Sequence, residues 1–592
     1  MTGPSRPRTA GSPLRASPQV RLKVGFVFIA MVLSVFAARL VQLQGVDPDR
    51  YAEMAAAEGS VIVSLPATRG EILDRNGDPL AESIDGRMII ADPTLTSDDA
   101  PELATFLARR LDLDYVRVLE RLRVEDSRFQ YIARQVPTWQ AEAVVAEAEE
   151  EGFVGLFMQR DPVRIYPNGD LAANLVGFLG TPRRDGSARA LAGLEDAFDD
   201  YLSGVDGEAR YEMGAGTQIP LGDNTVSPAV DGTDLNLTID NGLQHFTQGV
   251  LQQTVEGSHA ESGIAIIMDS RTGEILALAD YPSYDASEPQ EWPKSRYRSS
   301  ALTDVYEPGS TEKVLTLSSV IDAGLGRPLQ QYVVPPVLNR QDQPIHDHWV
   351  HGVEHLTLTG ILAKSSNIGT VLAADEFAPG ELRSYLTAFG FGEETGIGLR
   401  GETKGILPEG AEWTDQVDDR IAFGQSLSVN AVQMIAAVNT IANDGVRIDP
   451  SLVDGRATLD DGTEVGTEQA DERRVISTRA ARQTALMMER VLDPVDGAAP
   501  LAAVPGYRIA GKTGTAQRVV DGSYDGSHTA SFVGFGPTDD PRFTVYVVVH
   551  DSRTGGGGTV AGPAFAKLMS HALRRYGVPP TGTRASQLPV EW

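Results

Sequence analysis

A single apolar run near the N-terminus limits what the chain can fold into. Val24 to Ala38 carries no charged residue, and apolar residues continue past Arg39 to Leu43. Counted to Leu43, the run is long enough to cross about 30 Å of hydrocarbon as a helix. A buried helix of a soluble protein is disfavoured, because this stretch has no polar face. The sequence therefore predicts one transmembrane helix at 24–43.

The charges around this run predict its orientation. No acidic residue precedes Asp47, whereas basic residues crowd the first stretch, at Arg6, Arg8, Arg15, Arg21 and Lys23. Basic flanks stay in the cytoplasm, so residues 1–23 are predicted as a cytoplasmic tail and the chain after about Gly45 as extracytoplasmic. A cleaved signal peptide is the alternative. The run exceeds the usual signal length and is followed by RLVQLQG rather than a small-residue cleavage site, which favours an uncleaved anchor.

Length and composition limit the architecture of the protein and its possible partners. A chain of 592 residues can build two or more cores. The net charge of −30, without a basic face that carries interleaved aromatic residues, argues against a nucleic-acid partner. The chain has no cysteine, which excludes disulfides, thiolate metal sites and cysteine nucleophiles. We therefore expect an α+β protein of several domains.

The first extracytoplasmic region, 44–225, is predicted as one or two α+β modules. It mixes strand-like runs (SVIVSL, RMIIADP) with helical spacing of apolar residues between Ala100 and Glu150. The stretch SPAVDGTDLNLTID, which starts at Ser227, gives a turn and an alternating strand before a helix at Asn241 to Val255. This change of pattern predicts a domain boundary there.

The second region, 226–579, has strands at both ends and helices between them. Gly263 to Asp269 and Glu274 to Ala279 read as a β-hairpin, and Arg542 to His550 reads as a buried strand. A helix is predicted at Pro563 to Tyr576. This order predicts an antiparallel sheet whose first and last segments meet, covered by helices. Residues 580–592 are predicted as a C-terminal tail.

The strongest local signal for chemistry is EPGSTEK at Glu307 to Lys313. Pro308 and Gly309 predict a helix start, with Ser310 in its first turn and Lys313 one turn later on the same face. A serine hydroxyl is a weak nucleophile until a base takes its proton, and a buried lysine can be that base. Alone, however, S-x-x-K is more often a helix cap with a solvated charge.

Two further motifs follow in order. Ser365-Ser366-Asn367 gives S-x-N, and Lys512-Thr513-Gly514 gives K-T-G after a strand-like segment. Each alone is common in turns, caps and strand ends. Together, in one domain with strands at both ends, the three motifs indicate an active-serine acyl-transfer site.

With these motifs the chain resembles the penicillin-recognising serine transpeptidases, and within them the class B penicillin-binding proteins. Further stretches support the resemblance: RGEILDRNG, RIYPNGDLAANLVGF, AGLE, LTID, MDSRTGEILALADYPSYD and IAFGQSLSVNAVQM. The resemblance covers nearly all of the chain from the anchor to about Pro579. It implies an elongated α+β pedestal, or dimerisation domain, and a serine β-lactamase-like transpeptidase domain with an antiparallel sheet flanked by helices.

The resemblance implies a peptidoglycan D,D-transpeptidase, with possible residual D,D-carboxypeptidase activity. Ser310 would attack the penultimate D-alanine carbonyl of a stem peptide and form an acyl-enzyme, releasing terminal D-alanine. Lys313 would activate Ser310, and Ser365 would relay protons toward the leaving amine. No metal or other cofactor is implied.

The resemblance also implies substrate-binding roles. Asn367 would hold the substrate amide, and Lys512 would supply positive potential that attracts the substrate carboxylate and keeps Lys313 neutral. The hydroxyls of Thr513 and Thr515 would bind that carboxylate, while the strand that contains Gly514 would pair with the peptide backbone. The N–H groups of Ser310 and Thr515 would form the oxyanion hole.

One position departs from the family pattern. Glu312 stands where the family usually has an apolar or small residue. Because its neighbours point in different directions on a helix, and the helix dipole favours an acid there, we expect Glu312 to be tolerated. The departure puts the affinity for β-lactams in doubt.

Other functions share parts of this pattern. A β-lactamase would need fast deacylation, and the stretch TGIGLRGETKGILP fits the class B pattern without the E-x-x-L-N element of class A lactamases. A membrane β-lactam sensor would need a cytoplasmic effector, for which the tail before Arg21 has no room. A catalytically dead scaffold is disfavoured by the complete set of motifs, and a bifunctional synthase by a pedestal-like region 44–225 in place of a glycosyltransferase domain. A septal role is favoured over an elongation role.

The resemblance implies several partners. These are peptidoglycan stem peptides, β-lactam antibiotics as covalent inhibitors, a multispanning glycan polymerase of the FtsW/RodA kind and other divisome proteins. The expected location is the cytoplasmic membrane, with one span and an extracytoplasmic catalytic domain. The sequence does not reveal the stem-peptide chemistry.

Overall fold

The computed structural model describes residues 18–41, 60–125, 127–180, 188–214, 217–218, 225–341, 343–520 and 523–592. Most of the predicted tail 1–23 and the last two positions of the predicted span 24–43 lie outside the described residues. The chain divides into two compact units, which are the described parts of 1–66 with 206–229 and of 67–205 with 230–592. This is a division by compactness, and the limits 44–225 and 226–579 stay predictions.

The described part of the chain contains both helices and strands throughout. The helices are α1 (Pro18–Val41), α2 (Pro93–Thr96), α3 (Ala100–Leu111), α4 (Tyr115–Leu122), α5 (Thr138–Glu150), α6 (Ala173–Val176), α7 (Gly193–Ala197), α8 (Asp199–Ser203), α9 (Asn241–Gly257), α10 (Ser300–Thr303), α11 (Lys313–Asp322), α12 (Leu358–Lys364), α13 (Asn367–Ala374), α14 (Glu381–Ala388), α15 (Asp415–Ile421), α16 (Ala431–Ala442), α17 (Thr478–Glu489) and α18 (Ala561–Arg575). The strands are β1 (Ser60–Leu65), β2 (Ile72–Leu73), β3 (Pro79–Ile84), β4 (Gly86–Ala91), β5 (Gln130–Pro137), β6 (Leu156–Arg160), β7 (Val163–Ile165), β8 (Phe178–Leu179), β9 (Ala190–Ala192), β10 (Gly207–Gly214), β11 (Thr217–Gln218), β12 (Thr225–Ser227), β13 (Leu235–Asn236), β14 (Ser262–Asp269), β15 (Ile275–Tyr281), β16 (Gln331–Val334), β17 (Glu354–Thr357), β18 (Val446–Ile448), β19 (Ala457–Thr458), β20 (Glu464–Val465), β21 (Glu472–Arg474), β22 (Ala510–Val520), β23 (Ser523–Gly536) and β24 (Phe543–His550).

The first unit contains the N-terminal helix and a small sheet. The helix α1 is 24 residues long, and its stretch Leu22–Arg39 is apolar enough to span a membrane, with a mean hydropathy of 1.9 and none of it buried. At 1.5 Å per residue the helix is about 36 Å long, which exceeds the hydrocarbon thickness. In the sheet, β1 pairs antiparallel with β10, which also pairs with β11 and β12. The predicted N-terminal helix is therefore present, while its membrane crossing stays a prediction.

Residues 86–160 of the second unit form a module with its own core. The sheet order is β5-β4-β6, and buried residues of α3, α4 and α5, such as Leu103 and Val144, pack beneath it. The helical spacing predicted between Ala100 and Glu150 is interrupted by β5. In β5 the core residues are Ile132, Ala133 and Val136, a spacing that also fits a helix, so the apolar pattern alone does not reveal this strand.

Three of the stretches that resemble the family meet at one buried carboxylate. Glu195, from AGLE, is fully buried; its Oε2 lies 2.6 Å from Arg69 Nε of RGEILDRNG, and its Oε1 lies 2.7 Å from Arg164 Nε of RIYPNG. The Tyr166 hydroxyl donates to the same Oε1 at 3.3 Å. Because a buried charge is tolerated only when paired, these distant segments are held together by charge.

The larger part of the second unit contains a five-stranded antiparallel sheet in the order β15-β14-β24-β23-β22. The strand β14 pairs with β24 from Ser262↔His550 to Asp269↔Phe543, so the first and last segments of the region meet as predicted. The helices α9 and α18 pack on the sheet and on each other, and α16 and α17 form a second such pair. The strand β22, which contains K-T-G, is an edge strand of the sheet.

The predicted C-terminal tail is packed against the fold. Val590 is buried, and its carbonyl accepts a hydrogen bond from Thr357 N at 3.0 Å. A side chain at Gly360 would clash with that carbonyl, because a Cβ there would lie 1.9 Å from the oxygen. The end of the chain therefore closes over β17 and α12, just before the S-x-N motif.

Candidate active site

Ser310 lies in a 3-10 turn, Gly309–Thr311, that leads into α11. The sequence predicts Ser310 in the first α-helical turn, but the α-helix begins only at Lys313. Gly309 has φ +55°, in the left-handed region that favours glycine, and the Thr311 hydroxyl donates to the Pro308 carbonyl at 2.7 Å. With three residues per turn, a 3-10 turn places residues i and i+3 on one face. Ser310 and Lys313 are therefore still expected on one face, and their contact stays a prediction.

The segment around Gly424 supports the Ser310 turn. Gly309 N donates to the Gly424 carbonyl at 2.9 Å, and Ser426 N donates to Glu307 Oε1 at 2.9 Å. Gly424 has φ +87°, and a Cβ there would lie 2.0 Å from the Gly309 carbonyl oxygen. This segment, IAFGQS, is part of one of the stretches that resemble the family. Its contact with the Ser310 turn is made by the fold and is not predicted by its sequence pattern.

Lys313 connects the nucleophile turn to the S-x-N motif. The side chain is fully buried, and its Nζ donates to the Ser365 carbonyl and to Asn367 Oδ1, each at 2.7 Å. The same Nζ lies 3.4 Å from Ser365 Oγ. Ser365 itself has φ +65°, at the junction of α12 and α13.

Lys512 approaches the same serine from the sheet. Its buried Nζ donates to Ser365 Oγ at 2.8 Å, to the Thr513 carbonyl at 3.0 Å and to Thr513 Oγ1 at 3.2 Å. The Ser365 hydroxyl therefore stands between two amines, those of Lys512 and Lys313. The structure brings Lys313, Ser365, Asn367 and Lys512 together from three separate segments, as the order of the motifs predicts.

The pKa values of both amines are lowered. Burial lowers the pKa of Lys313 to about 7, against the opposing charges of Asp347 and Glu312. Burial and the positive charge of Lys313 lower the pKa of Lys512 well below its usual range. Two amines that share one hydroxyl disfavour each other's protonation, so near neutral pH the pair readily gives up a proton. One amine can then accept the proton of a nearby hydroxyl.

The Ser310 turn packs directly on β22. A Cβ at Gly309 would lie 3.1 Å from Ala516 Cβ and 3.4 Å from the Thr515 carbonyl oxygen. Gly514 has no room for a side chain, because its Cβ would lie 2.2 Å from Ser531 Oγ. Thr515 is exposed, and its hydroxyl accepts from Gly557 N at 3.3 Å. The nucleophile turn and the exposed Thr515 therefore lie next to each other.

Sequence reasoning missed the loop that precedes the S-x-N motif. The His346 carbonyl accepts from Asn367 Nδ2 at 2.8 Å, which turns Asn367 Oδ1 toward Lys313. Partial loss of solvent and the charges of Lys313 and Lys512 lower the pKa of His348. The only signal in the sequence is the run HDHWVH shortly before the motif.

Glu312 is fully buried beside Lys313. Its Oε1 accepts from the Thr316 hydroxyl at 2.7 Å, while Oε2 has no hydrogen-bond partner among the described residues. Burial raises the pKa of this carboxyl well above its usual range. A carboxyl whose folded pKa exceeds its unfolded value destabilises the fold above the unfolded pKa of about 4.3, and the penalty grows as pH rises toward the folded pKa.

Glu312→Met is therefore expected to raise the free energy of unfolding at pH 8 by roughly 1–3 kcal/mol, because it removes a buried acid without changing the volume much. The gain should shrink toward pH 5, which melting midpoints at both pH values will show. The exposed Glu412→Met is the control and should show no such pH dependence. A loss of stability of equal size at both pH values would contradict this account.

Comparisons with known proteins agree with this geometry. The model of the penicillin-binding protein transpeptidase domain matches residues 263–570, and that of the penicillin-binding protein dimerisation domain matches residues 64–237. The penicillin-binding protein PbpB of Mycolicibacterium smegmatis is 34% identical, covering 97% of this chain and 93% of its own. The peptidoglycan D,D-transpeptidase FtsI of Escherichia coli K12 is 31% identical, covering 93% of this chain and 91% of its own.

Solved structures show the same likeness. The crystal structure of a peptidoglycan synthetase from Bifidobacterium adolescentis has a TM-score of 0.72 and 30% identity, covering 90% of this chain and all of its own. Penicillin-binding protein 3 from Mycobacterium tuberculosis, complexed with aztreonam, has a TM-score of 0.68 and 29% identity, again covering 90% of this chain and all of its own.

Proposed function

This chain belongs to the class B penicillin-binding proteins, and from that premise we propose that it is a serine-type peptidoglycan D,D-transpeptidase that works through an acyl-enzyme on Ser310. The observation that carries the assignment of residues is the Ser365 hydroxyl, which lies 2.8 Å from Lys512 Nζ and 3.4 Å from Lys313 Nζ. Two buried amines around one hydroxyl provide a path for a proton between the nucleophile turn and the sheet.

In the acylation step Ser310 Oγ attacks the penultimate D-alanine carbonyl of a stem peptide while neutral Lys313 takes its proton. The amide bond to the terminal D-alanine breaks and an ester to Ser310 forms. The proton passes from Lys313 through the Ser365 hydroxyl to the departing amine. An amine of a second stem peptide then attacks the ester, which forms the crosslink and returns a proton to Ser310.

The remaining residues hold the substrate. Asn367, whose amide is oriented by the His346 carbonyl, binds the substrate amide. Lys512 supplies positive potential to the substrate carboxylate, which the hydroxyls of Thr513 and Thr515 bind. The backbone of β22 at Gly514 pairs with the extended peptide, since β22 is an end strand of its sheet. The N–H groups of Ser310 and Thr515 form the oxyanion hole.

The test is a reaction of the full-length protein in detergent with a donor peptide that ends in D-Ala-D-Ala and an amine acceptor. We expect D-alanine release together with a crosslinked product, and neither with Ser310→Ala. Release without any crosslinked product would indicate a carboxypeptidase, and no release at all would contradict the assignment.

We also propose that β-lactams acylate Ser310. The structural relatives from Mycobacterium tuberculosis were solved as complexes with aztreonam and with ampicillin, and they cover 90% of this chain. Rapid turnover of a penicillin by the purified protein would instead favour a β-lactamase.

For the cell, we propose a septal role at the cytoplasmic membrane. The anchor at 24–43 places residues 1–23 in the cytoplasm, with the dimerisation domain at 44–225 and the transpeptidase domain at 226–579 outside. The basic residues before α1 support this arrangement. The anchor would contact a glycan polymerase of the FtsW/RodA kind and other divisome proteins. Exchanging the anchor for an unrelated span tests the contact, and unchanged septal localisation would count against it.

A further inference from the structure

Residues 581–592, the C-terminal strap, run from the start of the K-T-G strand to the helix that precedes the S-x-N motif. At the first of these places Thr581 N donates to the Gly506 carbonyl at 2.9 Å. Arg508 Nη1 donates to the Thr583 hydroxyl at 3.0 Å. Because Gly506 and Arg508 lie shortly before β22, the strap is bound to the segment that leads into the K-T-G strand.

A buried carboxylate binds the strap halfway along. Glu489 is the last residue of α17 and is 6% exposed. Its Oε1 accepts from Arg508 Nε at 3.0 Å, and its Oε2 accepts from Ser586 N at 2.5 Å. A buried carboxylate is stable only when its oxygens are paired, so this contact fixes the strap to the same segment before β22.

The other half of the strap lies against the N-terminal end of α12. Thr357 is the N-cap of this helix, and its hydroxyl accepts from Gly360 N at 3.0 Å. The same hydroxyl donates to the Pro589 carbonyl at 2.6 Å, while Thr357 N donates to the Val590 carbonyl at 3.0 Å. The strap therefore holds the residue at which α12 begins.

The strap also reaches the C-terminal end of α12. There Lys364 Nζ pairs with Glu591 Oε1. Ser365 follows directly, leaves the helix with φ +65°, and has its hydroxyl 2.8 Å from Lys512 Nζ. The strap thus connects the two parts of the chain whose side chains meet at Ser365, which are α12 and the strand that carries Lys512.

We propose that the C-terminal strap is a positioning segment of the transpeptidase reaction, which holds Ser365 against Lys512 and Lys313. This role rests on the proposed function. The strap joins α12 to the segment before β22, so its release would let Ser365 move relative to both amines. Misplacement by about 1 Å can cost on the order of 100-fold in rate.

Release of the strap would also change the pH dependence of the reaction. Burial lowers the pKa of Lys313 to about 7, and the Ser365 carbonyl is one of the acceptors that cover its Nζ. Movement of Ser365 would admit water to this amine, so its pKa would return toward the ordinary value and the rate would rise only at higher pH. The other charged or titratable groups that act on this amine or on Lys512 are listed here: Asp347, Glu312 and His348.

The test measures the second-order rate of acylation by a fluorescent penicillin between pH 6 and 9, using full-length protein and its variants in detergent. Gly360→Ala displaces the strap without shortening the chain, because a Cβ there would lie 1.9 Å from the Val590 carbonyl oxygen. It is expected to lower the rate by about 10-fold to 100-fold and to move the rise of the profile to higher pH. Deletion of residues 586–592 should have the same two effects, and Gly360→Ala should add nothing in that background.

The matched control is Gly249→Ala, since Gly249 lies within α9 and a Cβ there meets nothing within 4 Å. Its rate and pH midpoint should equal those of the wild-type protein. Melting midpoints are recorded for every variant, and the rates are compared at a temperature well below the lowest of them.

A Gly360→Ala protein with the wild-type rate and midpoint would overturn the proposal. So would a rate loss without a shift of the pH midpoint, which is what a loss of stability alone would give, or an equal effect of Gly360→Ala with and without residues 586–592. If neither variant folds, Thr357→Val decides on the same two readouts, because it removes only the hydroxyl that binds the Pro589 carbonyl and caps α12. A wild-type protein that is not acylated at any pH would overturn the proposed function instead.

Discussion

Lys313→Met is expected to lower the rate at which Ser310 is acylated by about 10³-fold or more. Methionine has a similar length and fills the same buried space, but it cannot accept a proton. The loss of a base that acts directly on the nucleophile accounts for most of this effect. Lys313→Arg should be nearly as inactive, because an arginine remains protonated at every pH of the experiment.

The wild-type pH profile follows from the same residue. The neutral amine of Lys313 is the active form, and burial lowers its pKa to about 7. The acylation rate should therefore rise as pH increases through about 7 and level off above it. The profile of Lys313→Met should lack this rise. A Lys313→Arg protein that keeps more than about a tenth of the wild-type rate would show that charge at this position, rather than base chemistry, is what matters.

Lys512→Met is expected to lower the efficiency of acylation by about 100-fold and to change its pH dependence. The positive charge of Lys512 attracts the substrate carboxylate in the proposed mechanism, so the variant should need more substrate to reach half of its maximal rate. In the proposed mechanism the two amines share one proton, which Lys512 holds, and its charge disfavours protonation of Lys313 across the Ser365 hydroxyl. Its removal should therefore shift the rise of the profile to higher pH.

The comparison of Lys512→Met with Lys512→Arg separates these effects. Arginine retains the charge, so the pH midpoint should stay near the wild-type value even where the rate is reduced. An unchanged midpoint in Lys512→Met would show that Lys512 does not tune Lys313. The role of Lys512 would then be limited to attracting the substrate carboxylate.

The sequence predicts the parts of the site that depend on motif and spacing. Ser310 and Lys313 are expected on one face because they are three positions apart, with Ser310 in a 3-10 turn and Lys313 at the first position of α11. The order of S-x-x-K, S-x-N and K-T-G predicts that Ser365, Asn367 and Lys512 join them. The pairing of β14 with β24 follows from apolar strands at both ends of the region.

Other parts depend on contacts that no local pattern reveals. Gly424 supports the Ser310 turn because its backbone lies against Gly309, more than a hundred positions earlier. The contacts of residues 581–592 with α12 depend on the path of a segment that the sequence predicts only as a tail. The burial of Glu312 depends on what packs around the start of α11, which helical spacing alone does not specify. In each case the deciding interaction is tertiary.

The central claim is that Ser310 is the nucleophile, and the direct measurement is a peptide map of the full-length protein after reaction with a labelled penicillin. We predict a stable adduct on the peptide that contains Ser310, with a mass increase equal to that of the intact drug, and no adduct in Ser310→Ala. An adduct on another residue of the wild-type protein, or equal labelling of Ser310→Ala, would contradict the claim.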